Sequence, residues 1–153
     1  MQPLDRIDRK ILDILQRDGR IAITDLAQQV GLSATPCADR VRRMERARVI
    51  TGYHAHVSPK AVGRNLLVFL EIKLAAKSDE VFEKIKNELH RIPDVMECHL
   101  VSGDFDYLIK ARIPDMHDYR TLLGDILQRL PASAQSRSYV VMEEIKESLY
   151  LQT

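Results

Sequence analysis

Between Leu66 and Met142 the hydrophobic pattern switches repeatedly between the two-residue period of a strand and the longer period of a helix. Leu66 to Leu74 is apolar with Glu71 and Lys73 interposed, and reads as a strand. Asp79 to Arg91 places Val81, Phe82, Ile85 and Leu89 on one helical face, and Pro93 closes it. Met96 to Val101 and Tyr107 to Ile113 are strands joined across the turn signal Gly103-Asp104, so a hairpin is expected, ended by Pro114. Tyr119, Leu122, Leu123, Ile126, Leu127 and Leu130 define a second amphipathic helix, and Ser138 to Met142 a last strand. The order βαββαβ is the ferredoxin-like pattern. Leu70, Ile72 and Leu74 share one side of the first strand while Leu67 and Phe69 take the other, so both faces of the sheet are apolar. Two helices cover one face only. The simplest cover for the other is a second copy of the chain, and a dimer is expected.

The region before Leu66 has a different rhythm. Ile7, Ile11, Ile14 and Leu15 form one stripe on a helix that Asp5 can cap and Gly19 can stop. Thr24 can cap a short second helix running to Val30, Gly31 suits the left-handed residue at its end, and Ser33 can cap a third. Pro36 then falls in the first turn, where the backbone N–H has no intrahelical partner to lose. Helix, short helix, glycine turn and capped helix outline a helix-turn-helix. In the third helix Cys37, Val41 and Met44 cluster towards a core. Thr35, Asp39, Arg42 and Arg46 project from the opposite side, with Arg43 beside them and Arg40 nearer the boundary. Val49 to Val57 reads as a strand or hairpin, a wing, ended by Pro59. The expected organisation is therefore α+β: a winged helix-turn-helix over 1–59, a linker over 60–65, and a ferredoxin-like domain over 66–153.

Charge follows the same division. Residues 1–65 hold 12 Lys or Arg against 7 Asp or Glu, whereas residues 66–153 hold 11 against 15, so the overall +1 conceals a basic head and an acidic body. Such asymmetry points to a polyanionic partner for the head. The longest apolar run, Leu66 to Leu70, falls far short of the roughly 20 residues needed to cross a bilayer. Charged residues between Asp5 and Lys10 argue against a secretory signal, and a cytoplasmic protein is expected. Cys37 and Cys98 lie far apart with no ligand spacing around them, and their default reading is as small buried hydrophobes. His54, His56 and His99 lack a third metal ligand, and Ser102, Asp104 and Asp106 lack a histidine for nucleophilic chemistry. Neither a metal, a cofactor nor an enzyme activity is expected.

Three stretches carry a resemblance: GLSATPCADRVRRMERARVITGY, ECHLVSGDFDYLIKARIPDM and SYVVMEEIKES. They resemble the leucine-responsive regulatory protein (Lrp/AsnC, feast/famine) family of transcription regulators, and the similarity runs from about Leu4 to Ser148. The resemblance implies a bacterial, nucleoid-associated regulator of double-stranded DNA. It also implies dimers that assemble further, to an octamer, and an amino acid bound near dimer contacts. By matching motif, Ser33, Thr35, Pro36, Arg40, Arg42 and Arg43 face DNA, and helix geometry adds Asp39 and Arg46. In the second region Ser102, Gly103, Asp104 and Asp106 correspond to the ligand-proximal turn. Leu100, Met116, Tyr139, Val140 and Val141 match positions associated with the leucine response. One departure is Met1 to Pro3, where close relatives carry a longer, basic arm.

Arginine suits such a surface because it makes paired hydrogen bonds to guanine in the major groove, while phosphate contacts set position and salt sensitivity. A zwitterionic amino acid needs donors for its carboxylate, an acceptor for its ammonium and an apolar slot. Backbone N–H groups near Gly103, the carboxylates of Asp104 or Asp106, and Leu100 or Met116 offer these. Leucine is the first expected effector and methionine the second, acting through altered dimer-to-dimer packing. Two competing readings are a mainly architectural DNA-compacting protein and, with less to support it, a metabolite-binding enzyme with an appended helix-turn-helix.

Overall fold

In the computed structural model, which describes residues 3–130 and 134–153, the chain forms two units, one of residues to 56 together with 146–153 and one of residues 57–145. Met1 and Gln2, part of the short lead-in noted above, lie outside the described residues.

The first unit holds three helices, α1 (Arg6–Arg17), α2 (Ile23–Val30) and α3 (Ala34–Arg46). Asp5 caps α1 by accepting from the amides of Ile7 and Asp8, and Asp8 returns the bond to the Asp5 amide at 3.2 Å. This reciprocal box satisfies donors that would otherwise be orphaned. α2 begins two residues earlier than a Thr24 cap would allow. Its N-cap is Ala22, whose carbonyl accepts from Asp25 and Leu26, so the backbone alone starts the helix. Gly31 ends it at φ 75°, and Leu32 N–H reaches back to the Ala27 carbonyl at 2.9 Å, closing the turn into α3. Ile11, Leu12, Leu26, Ala27, Val30, Cys37, Val41 and Met44 form the core, which includes all three residues expected on the inner face of α3.

Two expectations fail in this unit. The segment expected as a wing carries no strand: residues 51–58 are exposed and have no ladder partner among the described residues. A strand is stabilised by its neighbour, and the alternation there has none among the described residues. Tyr53 instead donates its phenol to Glu45 at 3.0 Å, fastening the segment to the end of α3. The chain end, expected within the second domain, packs on α1: Gln16 exchanges two hydrogen bonds with the Leu151 backbone at 2.7 and 2.9 Å.

The second unit is a four-stranded antiparallel sheet, β1 (Leu66–Lys73), β2 (Val95–Leu100), β3 (Tyr107–Ile113) and β4 (Gln135–Val140), with helices α4 (Asp79–Leu89) and α5 (Met116–Arg129). The strand order β2-β3-β1-β4 is that of the ferredoxin-like fold. Ser78 and Asp115 cap the two helices through their side chains. Val68, Leu70 and Ile72 of β1 and Ile109, Ala111 and Ile113 of β3 face Ile85, Leu89, Leu122 and Ile126 in one core. β4 starts three residues and ends two residues earlier than its apolar pattern suggests, because its ladder with β1 starts at Gln135 opposite Lys73 and ends at Val140 opposite Val68. On the face away from the helices, Phe69, Lys110 and Tyr139 stand side by side in register, and buried Arg112 pairs with Glu144. Cys98, expected to be buried, is exposed because β2 is an edge strand.

Candidate functional site

α3 presents two neighbouring stripes. Thr35, Asp39, Arg42 and Arg46 follow one another at helical spacing and all are exposed, as are Ser33 and Pro36 at the N-terminal end. Arg42 and Asp39 approach each other at 3.4 Å with most of both side chains in solvent, and Arg46 Nε donates to the Arg42 carbonyl at 3.3 Å. None of these side chains belongs to the unit's core.

Arg40 and Arg43 are different. Arg40 Nη1 lies 2.6 Å from Asp5 Oδ2 and 2.8 Å from Asp8 Oδ1, and Arg43 Nη2 lies 2.5 Å from Asp8 Oδ2. The Asp8 side chain is 1% exposed and sits on α1 one turn before Ile11 and Leu12. The carboxylates of Asp5 and then Asp8 push the Arg40 guanidinium further above its ordinary range. The sequence carried one signal of this clasp, an acid at i−3 and i−4 to two core residues, but its partners lie more than thirty positions away.

In the second unit the nine residues singled out for effector binding fall into two groups. Leu100 stands opposite Tyr107 and leads into the turn holding Ser102, Gly103 and Asp104, all exposed, with Gly103 at φ 146°. Asp106 closes that turn but is buried. Its carboxylate accepts from the Leu74 amide at 2.8 Å and pairs with Lys77 at 2.6 Å, while its own amide donates to the Ile72 carbonyl. Burial raises its pKa, but Lys77 and the Leu74 amide outweigh that and hold the carboxyl below its usual range. Tyr139 and Val140 pair with Phe69 and Val68, the Val141 amide donates to Leu67, and Met116 opens α5 just after Ile113, the partner of Leu66. The turn therefore lies at the Ile72 end of β1 and the second group at its Leu66 end, roughly 15–20 Å apart at strand rise. One chain does not bring the two groups together. Leu100, Met116, Tyr139 and Val140 are nonetheless all exposed apolar side chains. Lys77 was not singled out from the sequence, where a lysine in a loop carries no distinguishing mark.

Among the described residues no cluster of three or more His, Cys, Asp or Glu is placed to hold a metal ion, and no helix is long and apolar enough to cross a membrane. His99 sits 3.2 Å from Glu97, two residues away on the exposed side of the same strand β2, an ordinary surface pair. Cys37 is in the first core, and burial pushes its thiol up.

Comparison with known proteins gives these surfaces a setting. Residues 4–45 match the AsnC-type helix-turn-helix domain, and residues 67–151 match the Lrp/AsnC ligand binding domain. The chain belongs to the Lrp/AsnC family. It is 54% identical over 145 residues to the leucine-responsive regulatory proteins of Escherichia coli K12 and Klebsiella pneumoniae, covering 95% of this chain and 88% of each relative. Among solved structures, an AsnC family transcriptional regulator from Agrobacterium tumefaciens superposes with a TM-score of 0.92 at 36% identity, covering 97% of this chain and 96% of that one. A transcriptional regulator from Neisseria meningitidis in complex with L-Met superposes at 0.90 with 31% identity and the same coverage. Like these Lrp/AsnC relatives, the chain is a helix-turn-helix transcription regulator and not an enzyme.

Proposed function

We propose that the chain reads double-stranded DNA with the exposed face of α3 and responds to a small apolar amino acid, leucine first and methionine second, by changing how its dimers assemble. The observation that carries the reading is the outward stripe of α3, a polar face with two unburied arginines on the element that a helix-turn-helix lays in the major groove. Ser33, Thr35, Pro36, Asp39, Arg42 and Arg46 make up the reading surface. Arginine serves guanine or phosphate there, Asp39 suits the exocyclic amine of cytosine, and Thr35 suits a thymine methyl.

The effector reading rests on a different observation. The turn from Ser102 to Asp106 and the group Met116, Tyr139, Val140 and Val141 stand at opposite ends of β1. A slot that uses both takes one group from each of two chains, which couples ligand binding to assembly. Division of labour follows the fold: the helix-turn-helix reads DNA, residues 60–65 link, and the sheet domain senses and assembles. The dimer forms over the sheet face holding Phe69 and Tyr139, and octamers assemble from dimers. This role belongs in a bacterial cytoplasm, on the nucleoid when DNA is bound. Thermal unfolding against each of the twenty amino acids, followed by sedimentation velocity, tests the sensing half. A midpoint shift confined to leucine, methionine and similar side chains, with a change in sedimentation, supports it. No shift with any amino acid removes the effector claim and leaves DNA binding standing.

A further inference from the structure

Five arginines fall between Arg40 and Arg48, four of them on α3, and the structure treats those four unequally. Arg42 and Arg46 are exposed. Arg40 and Arg43 turn to α1, where the Asp8 carboxylate, buried at 1% exposure, takes one guanidinium on each oxygen at 2.8 and 2.5 Å. Buried charges of this kind persist only when their partners are fixed, and here both partners come from the same helix three positions apart. Asp8 is itself fixed, since its Oδ2 also accepts from the Asp5 amide and completes the α1 capping box. The clasp thus joins the start of α1 to the middle of α3. Asp5 adds a second, outer carboxylate to Arg40 at 2.6 Å. Sequence places Arg40, Arg42, Arg43 and Arg46 together as DNA-facing, with Arg40 nearer the boundary; the geometry ties Arg40 and Arg43 to α1 and leaves Arg42 and Arg46 in solvent.

We propose that Asp8 is a positioning residue for DNA reading: its carboxylate holds Arg40 and Arg43 so that these two fix the seating of α3 on α1, leaving Arg42 and Arg46 as the helix's phosphate- and base-directed cations. This rests on the DNA-reading function proposed above and assigns roles within it. Two consequences distinguish positioning from simple charge balance. If Asp8 only neutralised its partners, removing its charge would release two cations towards a polyanion and strengthen binding. Positioning gives the opposite sign. Likewise, a guanidinium committed to carboxylates releases no phosphate counterion, so its loss leaves the salt dependence of binding alone.

The experiment is DNA affinity as a function of salt for the full chain and for Asp8→Asn, Arg40→Gln, Arg42→Gln and Arg46→Gln, each checked by thermal unfolding. Arg42→Gln and Arg46→Gln are expected to lower the log–log salt slope by about one each with little change in midpoint. Asp8→Asn is expected to weaken binding by about tenfold or more, as removal of a residue that orients a reading helix does, and to lower the midpoint. Arg40→Gln keeps a hydrogen-bonding group for Asp8 and leaves the Arg43 pair in place, and is expected to leave the slope unchanged. Tighter binding by Asp8→Asn, or a slope lowered by about one in Arg40→Gln, overturns the proposal. If the wild-type chain itself shows no salt-dependent DNA binding, it is the DNA-reading function that fails, which the four variants then have no part in deciding.

Discussion

Tyr150 donates its phenol to Asp13 at 2.7 Å, linking residues 137 positions apart in the chain. Around that bond Arg17 lies 5.4 Å from the centre of the Tyr150 ring, Gln16 pairs with the Leu151 backbone, and Thr153 donates to Asp13 at 2.8 Å. The polar side of α1 is thereby occupied by the end of the chain.

The Tyr150 hydroxyl, then that of Thr153, holds the Asp13 carboxyl below its ordinary value of 3.8. A depressed carboxylate contributes stability above its unfolded pKa and loses it as pH falls through the lower folded value. Docking of residues 146–153 is therefore expected to weaken below about pH 4. Hydrogen exchange at the Leu151 amide, followed over an acid titration, should show protection falling in that window. Tyr150→Phe should lower protection at neutral pH and flatten the acid step; unchanged protection in that variant would contradict the assignment.

At the effector turn, Asp106 ties the β2–β3 connection to the start of the loop before α4. Asp106→Asn keeps an acceptor for the Leu74 amide but loses the negative charge that faces Lys77, a side chain more than half exposed, so about 1 kcal/mol of stability should go. Asp106→Ala also orphans the buried amide and should cost about 1–3 kcal/mol more. Urea unfolding of the two variants separates the contributions, and equal losses would show that the Leu74 bond contributes nothing.

Gly31 is at φ 75° with open space where a β-carbon would go. Gly31→Ala meets no steric neighbour, so its effect is conformational alone and should be about 1–2 kcal/mol of destabilisation. A variant as stable as the wild type would mean that the turn between α2 and α3 relaxes away from the left-handed region.

These residues also show what kind of structure a sequence displays. Gly31, Cys37, Val41 and Met44 were legible because each acts within a turn or two of helix, and the βαββαβ order was legible because burial imposes its period on the residues themselves. The wing was misread because alternation at Val49–Val57 announces a strand without saying whether a partner strand exists. The clasp of Asp8 on Arg40 and Arg43 and the seating of Tyr150 on Asp13 were illegible for a common reason. Each depends on which distant surfaces meet, and a polar side chain carries no periodic trace of its partner. The effector positions came from likeness to a family, and the fold adds that Asp106 is already committed to Lys77 and Leu74.

The most direct test of the central claim is the affinity of the full chain for a regulated promoter fragment against random DNA, at fixed salt, with and without saturating leucine or methionine. The account predicts a preference for the promoter of several kcal/mol that the amino acid alters, and that Arg42→Gln weakens. Equal affinity for both DNAs, untouched by either amino acid, would contradict it.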